Sequence, residues 1–309
     1  MLKNIYIYLN FYVLFNSKGE TNAMIKVELL ANYRFDTLFE AFSQAFVDYN
    51  IQLNKAELEK MLARRGFVAE LSFGAFDNDR LVSFTFNGIG NFNGVKTAYD
   101  TGTGTLKDYR GQGLASRVFS ESIPFLMNAG VKQYLLEVLQ DNTSAVSVYT
   151  KQGFKVIREF NYFVQDALSV NLYSKIVSSN YSIREIPYSD IDGVDKWWDF
   201  SPSWQNSFES ISRKVSDFIV FGAFNNNNLV GYGILEPMSG DITQIAVDKS
   251  HRRNGVATAI LGKMLTRNKH SGIKLINSDI TCESVTKFLE KNGIPIQGKQ
   301  FEMIKELVC

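Results

Sequence analysis

The sequence predicts an α/β fold in which one mixed-sheet unit, strands with helices on both sides, is used twice in tandem. Three observations carry that expectation. "FGAFDNDRLVSF" at 73–84 returns as "FGAFNNNNLVGY" at 221–232, with seven of twelve positions identical. "YRGQGLA" at 109–115 is answered by "HRRNGVA" at 251–257, and "VYTKQGF" at 148–154 by "FLEKNGI" at 288–294. Three echoes in one order, at offsets of 148, 142 and 140 residues, mean a duplicated domain. A chain of 309 residues suits two domains of roughly 150 each.

The elements of the first copy follow in order. Residues 25–30 read as a strand. Residues 34–48 read as an amphipathic helix, with Leu38, Phe39, Phe42 and Phe46 on one face. A second helix covers 54–64. The repeated segment at 73–84 is a β-hairpin with a polar tight turn at Asp77–Arg80, so Asn225–Asn228 in its echo is turn chemistry rather than a low-complexity tract. Strand 95–106 runs into the glycine segment. A helix over about 114–129 ends at Gly130, and Pro124 inside it predicts a kink or break. Strand 132–139 precedes a short helix, 143–152, capped by Asp141 or Asn142 and stopped by Gly153. Strands near 154–164 and 169–176 complete the unit. "VSSNYS" at 177–182 connects to the second copy, where the pattern of strand and helix restarts.

Composition narrows the function classes. An apolar share of 45% with 21% charged residues is ordinary for a globular chain with a proper core. A net charge of +1 without a basic tract gives no sign of a nucleic-acid or anionic-membrane partner. Cys282 and Cys309 form no disulfide framework, and two histidines cannot build a zinc site alone. No metal is expected, and a reducing, cytoplasmic setting fits best. The apolar run "IYIYLNFYVLF" at 5–15 is too short to span a bilayer. It has the outline of a secretory leader, or it follows an upstream start, with the folded domain beginning near Met24. The expected division is therefore 1–23, an N-terminal domain at 24–176 and a C-terminal domain at 181–309.

The glycine segment carries the functional argument. A strand runs into Arg-x-x-Gly-x-Ala and then a helix, twice: Arg110, Gly111, Gln112, Gly113, Leu114, Ala115, and Arg252, Arg253, Asn254, Gly255, Val256, Ala257. The first turn of a helix leaves its N–H groups without partners at the positive end of the dipole. Small residues let a phosphate reach those amides, and the arginine places a permanent cation at the rim. A diphosphate is the ligand this chemistry suits, although such a turn can also be a tight connection. A dinucleotide fingerprint is disfavoured, because the third glycine and the later acidic residue are missing. A Walker loop is excluded by the absence of Gly-Lys-Ser/Thr.

"YRGQGLA" followed by "LLEVLQDNTSAVSVYTKQGF" at 135–154 resembles the Gcn5-related N-acetyltransferase (GNAT) family, which transfers acetyl from acetyl-CoA to amines. The resemblance covers about 25–175 and, more loosely, 181–309. It implies that Arg110, Gly113 and Ala115 belong to the motif whose amides hold the CoA pyrophosphate. It further implies that Asn142, Ala145, Tyr149, Gly153 and Phe154 belong to the later motif, and that the strand "TGTGTL" at 101–106 (Gly102, Gly104, Thr105, Leu106) pairs through its main chain with the pantetheine arm.

Acetyl transfer requires a neutral amine and a proton for the departing thiolate. An alkylamine has a pKa near 10.4 and a thiol near 8.5, so a base is needed at pH 7 and an acid helps. The resemblance implies Tyr149 as the acid; a packing tyrosine is the plainer alternative. Glu137 in "LLEVL" is the candidate base, and Asp100 the reserve. In the second copy, Leu289 replaces Tyr149 and Cys282 replaces Asn142. That half is expected to have weakened or lost catalysis and to complete the fold or the acceptor pocket. "KWWDFSPSWQNS" at 196–207 holds all three tryptophans, which suits core or domain interface better than an acceptor cage. The expected partners are acetyl-CoA and an amine-bearing small molecule or peptide, in a monomer or homodimer. Two rivals remain: an acyl-CoA-binding module without catalysis, and an enzyme whose active site lies in the second copy.

Overall fold

The computed structural model describes residues 25–48, 52–173 and 180–307. The leader expected at 1–23, the domain edge at 176 and the first half of the expected connector lie outside them.

In the N-terminal half the chain runs β1 (Lys26–Leu29), α1 (Phe35–Ala45), α2 (Lys55–Arg65), β2 (Phe73–Asp77), β3 (Arg80–Phe92), β4 (Val95–Thr105), α3 (Leu114–Asn128), β5 (Gln133–Leu139), α4 (Thr143–Lys151) and β6 (Lys155–Asp166). The C-terminal half follows with β7 (Tyr181–Ile186), α5 (Phe208–Ser212), β8 (Ile219–Asn225), β9 (Asn228–Glu236), β10 (Asp241–Val247), α6 (Val256–Arg267), β11 (Gly272–Asp279), α7 (Glu283–Lys291) and β12 (Ile296–Glu306).

Local chemistry explains the ends of these elements. α1 buries Leu38, Ala41, Phe42 and Ala45 along one stripe. α2 opens on a capping box between Asn54 and Glu57 and closes on Gly66 in the left-handed region. Asn226 and Asn227 both take positive φ (48° and 72°), the turn that suits the twist of a two-residue hairpin. α3 continues through Pro124 rather than breaking there.

Two expectations fail. Among the described residues no second strand completes the first copy: residues 167–169 form a 3-10 turn and 170–173 are irregular, while 174–176 of the expected strand lie outside them. The second copy lacks long counterparts of α1 and α2. Short 3-10 turns at Tyr188–Ile191, Val194–Trp197 and Trp204–Asn206 replace them, followed by α5 of only five residues. Pro187, Gly193 and Pro202 interrupt that stretch, and Gly193 sits at φ 67°, so no uninterrupted helical run is available.

The twelve strands form one sheet in the order β1-β2-β3-β4-β5-β12-β6-β11-β10-β9-β8-β7. The order is mirrored about its centre, where the last strands of the two copies are exchanged. β12 lies against β5 with Gln300–Glu306 opposite Gln133–Leu139, while β6 lies against β11, and β6 and β12 pair with each other. The cores record the exchange. Met303 and Leu307 pack with Tyr134, Leu136 and Phe154 of the N-terminal half. Phe163 of β6 packs with Ile260, Leu275 and Leu289 of the C-terminal half. Each half is therefore closed by the other's strand.

Candidate active site

In each half the strand before the glycine turn parts from its parallel neighbour. β4 pairs β5 only at Thr97–Tyr99 against Gln133–Leu135, and β10 pairs β11 only at Asp241 against Lys274. Each strand also carries a bulge just there, between the partners of Phe86 and Asn87 in one half and at Ile242/Gln244 in the other. The result is a wedge-shaped opening whose mouth is the turn and the following helix.

The turns match closely. Gly113 and Gly255 are the N-caps of α3 and α6 at φ 76° and 81°, and no side chain among the described residues caps either helix. Gly111 also has φ 76°, and its counterpart Arg253 adopts φ 65°, a conformation costly for a residue with a Cβ. Beyond the immediate chain neighbours, no described atom lies within 4 Å of where a Cβ would stand on Gly111 or Gly113. The amides of this turn thus border open space, the condition for holding a diphosphate such as that of CoA. Leu114 and Val256 point into the core, Leu106 likewise, and the Thr105 hydroxyl meets Ser83 at 2.8 Å, so these positions offer main chain rather than side chain. Gln112 donates to the Asp108 carbonyl and Asn254 to that of His251, while Ala115 and Ala257 are partly buried.

The arginines do something other than stand at the rim. Arg110 donates from Nε to the Thr105 carbonyl (3.2 Å) and from Nη2 to the Ala45 carbonyl (2.9 Å), with Asp48 at 3.6 Å. Arg252 repeats this: Nε to the Val247 carbonyl (2.9 Å), Nη2 to the Trp197 carbonyl (2.8 Å), and Nη1 to Asp199 (2.9 Å). Each guanidinium ties the end of the strand to a second segment, the end of α1 in one half and the turn Val194–Trp197 in the other. Its geometry is that of a brace for the turn.

Asn142 likewise serves the fold in this structure. Its Oδ1 accepts from the Ala145 amide at 3.2 Å and caps α4, a bond its counterpart Cys282 does not make.

The candidate acid and the reserve base come together. Tyr149 Oη donates to Asp100 Oδ2 at 3.2 Å. Asp100 also accepts from the Gly102 amide (2.9 Å) and the Thr103 hydroxyl (2.8 Å). Burial raises its pKa above the usual carboxylate range, and these three hydrogen bonds offset only part of that rise. The corresponding C-terminal positions are Leu289, fully buried, and Ile242.

Glu137 is elsewhere. Alternation along β5 turns it to the other face, with Leu135, Tyr99 and Trp204. It accepts from Tyr99 Oη and, at 3.2 Å, from Asn277 Nδ2. Opposite it on β12 stands Glu302, fully buried and held by Nε and Nη2 of Arg158 at 2.6 and 2.8 Å. Burial, and next the Glu302 charge, push the Glu137 carboxyl up to about 7. Trp204 stacks on Tyr99 (5.2 Å between centroids, 7° between planes) and donates from its indole to the Arg65 carbonyl. That tryptophan belongs to the interface between the halves. Trp197 is buried, and Trp198 donates to Tyr232 Oη at 2.6 Å.

Sequence reasoning missed Tyr99, Arg65, Glu302, Ser203 and Asn277. For Asn277 the signal existed: the third echo, continued upstream at its 140-residue offset, places Asn277 on Glu137. The two residues that correspond by duplication are hydrogen-bonded across the centre of the molecule.

In the C-terminal half the opening is a cleft of about 530 Å³, bounded by Trp198, Gln244, Val247, Gly255, Leu275 and Asn277. At its inner end the polar groups are neutral: Tyr232 Oη donates to Gln244, whose amide donates to the Asn206 carbonyl, and Asn206 in turn donates to the Ile276 carbonyl. No helix of the described residues is long and apolar enough to cross a membrane.

The pattern of the acetyltransferase (GNAT) family matches this chain twice, over residues 33–154 and 180–293. N-alpha-acetyltransferase 30 of Schizosaccharomyces pombe is 32% identical over 108 residues, covering 34% of this chain and 72% of that protein. N-alpha-acetyltransferase MAK3 of Arabidopsis thaliana is 27% identical over 106 residues, covering 33% of this chain and 56% of that protein. Among solved structures, a tandem GNAT protein from the clavulanic acid biosynthesis pathway superposes with a TM-score of 0.70 at 12% identity, covering 93% of this chain and 99% of that one. A GCN5-related N-acetyltransferase from Sphaerobacter thermophilus gives 0.68 at 13%, covering 93% and 96%. Both show the same fold. With two matches in register with the duplicated turns, the chain belongs to the acetyltransferase (GNAT) family and is an N-acetyltransferase of tandem construction.

Proposed function

We propose that acetyl transfer from acetyl-CoA takes place in the N-terminal half, residues 24–176, and that the C-terminal half, 181–309, retains the ligand cleft without the chemistry. The observation that carries this is the Tyr149–Asp100 pair at the inner end of the N-terminal opening, against Leu289 and Ile242 at the same positions of the second copy. The amides of Gly111–Ala115 would hold the diphosphate, with Arg110 fixing the turn and the edge of β4 following the pantetheine arm. Bound acetyl-CoA supplies the thioester.

Tyr149 would hold the proton destined for the leaving thiolate, and Asp100 would orient that phenol. Glu137, reached from the opposite face of the sheet, would take the proton from the amine. A carboxyl near 7 suits that task. It is better matched to an α-amino group, with a pKa near 8, than to a lysine-like amine near 10.4. The two relatives named as N-alpha-acetyltransferases support the same acceptor class. The α-amine of a peptide is therefore the acceptor proposed. A cytoplasmic setting belongs to the same proposal, supported by Cys282 as a buried free thiol.

The C-terminal cleft favours a second reading, with turnover in that half by positioning alone. Gly113→Glu and Gly255→Glu, each in the full chain, separate the two: both place a carboxylate at a diphosphate site. Thiol release with a peptide acceptor should fall at least about 100-fold in Gly113→Glu and persist in Gly255→Glu. The opposite pattern refutes the N-terminal assignment.

A further inference from the structure

Asn277 belongs to two places at once. It lines the C-terminal cleft, and its amide nitrogen donates through the interface to Glu137 Oε1 at 3.2 Å and to Ser203 Oγ at 2.9 Å. Its orientation is assigned by the molecule, because Oδ1 accepts from Gln300 Nε2 at 2.9 Å, leaving the nitrogen to face Glu137. The residue sits at φ 59° in a β11 bulge, so its backbone is held in a conformation that most side chains avoid. Gln300 rides on the exchanged strand β12, two residues before Glu302.

We propose that the C-terminal cleft is an effector site for a CoA thioester, and that the N-terminal half reads its occupancy through the Asn277–Glu137 hydrogen bond. A thioester arm reaching the inner end of the cleft brings amide and carbonyl oxygens to Asn277, which compete for the donor now given to Glu137. Losing that donor disfavours the ionised carboxylate, so occupancy is accompanied by proton uptake. The other groups around Glu137 set the balance: Tyr99 on β4 donates to it, Glu302 on β12 repels its charge, and Arg158 on β6 and Arg65 on α2 attract it. Because Glu137 titrates near 7, a modest change at Asn277 alters its charge at neutral pH.

The consequence for turnover rests on Glu137 being the N-terminal base, but the test does not. In the full chain carrying Gly113→Glu, which leaves the C-terminal cleft as the CoA site, acetyl-CoA binding is measured by calorimetry at pH 7 in buffers of different ionisation enthalpy. The expected result is binding with uptake of roughly a few tenths of a proton, abolished by adding Gly255→Glu. The uptake should vanish with Glu137→Gln while binding persists, and should vanish with Asn277→Gly along with part of the affinity, the latter chosen because glycine accepts positive φ. Absence of acetyl-CoA binding, or a proton number unmoved by either substitution, overturns the proposal. Failure of the N-terminal catalytic assignment shows separately, as turnover retained in Gly113→Glu.

Discussion

The two halves share a scaffold and differ in chemistry. Both keep a left-handed glycine at the head of an uncapped helix, and both brace the turn with an arginine whose Nε meets the last carbonyl of the preceding strand. At the inner end of the opening the parallel stops: Tyr149 and Asp100 correspond to Leu289 and Ile242, and on the opposite face of the sheet Glu137 corresponds to Asn277. Duplication has preserved what shapes the cleft and has replaced the groups proposed to move protons. The turn and brace are requirements of ligand shape in either copy, whereas acid and base are needed only where a reaction occurs.

The largest expected effect tests whether the halves are separable at all. Glu302 arrives in the N-terminal half on the exchanged strand and is fully buried against Arg158. Glu302→Ala removes one partner of a buried ion pair and should cost about 3–5 kcal/mol. Thermal denaturation of the full chain should show one cooperative transition, lowered in both halves together. Two transitions, with only one displaced, would mean that the exchange does not couple them.

Next is the chemical asymmetry. Tyr149→Phe keeps the ring against Phe154 and removes the proton, so kcat should fall on the order of 10²-fold with little change in KM. Leu289→Tyr should restore nothing, since Asp100 has no C-terminal counterpart to orient the new hydroxyl. Full activity in Tyr149→Phe removes the acid from the comparison.

A smaller effect sharpens the shared part. Arg110→Lys retains the charge but cannot brace two carbonyls with a planar fork. If bracing is its role, CoA affinity should drop by about 1–2 kcal/mol, through a loosened turn. An unchanged Kd, measured by titration, would assign Arg110 to neither bracing nor binding.

The sequence disclosed the elements far better than their partners. The hairpins, the capped α2 and α4, and the glycine turns all rest on residues within a few positions of one another, where capping and turn chemistry act. Strand exchange has no such local mark. β6 and β12 follow equivalent helices, and which one closes which half depends on pairing between residues more than 100 positions apart. The Glu302–Arg158 pair is hidden for the same reason. The Tyr149–Asp100 contact was visible only as two separate candidates, because a 49-residue separation says nothing about which face of a splayed strand a side chain takes.

The smallest effect concerns the pair that corresponds by duplication. Glu137 is raised to about 7 by burial and by Glu302, while in the unfolded chain it titrates near the ordinary value for a glutamate. The folded state therefore holds the proton more tightly. Its stability contribution is present at low pH and declines as pH rises from about 4.5 through 7, because ionisation then opposes folding. Glu137→Gln imitates the protonated form and removes that penalty. It also surrenders part of the hydrogen bonding from Tyr99 and Asn277 to a charged acceptor, worth about 1–2 kcal/mol. The net gain above pH 8 should be about 1–2 kcal/mol, shrinking to zero or below at pH 5. Denaturant titrations of wild type and variant at the two pH values read this directly. A variant less stable at pH 8 than at pH 5, relative to wild type, would show that Arg158 and Arg65 outweigh burial at Glu137, and that the carboxylate is already ionised at the centre of the molecule.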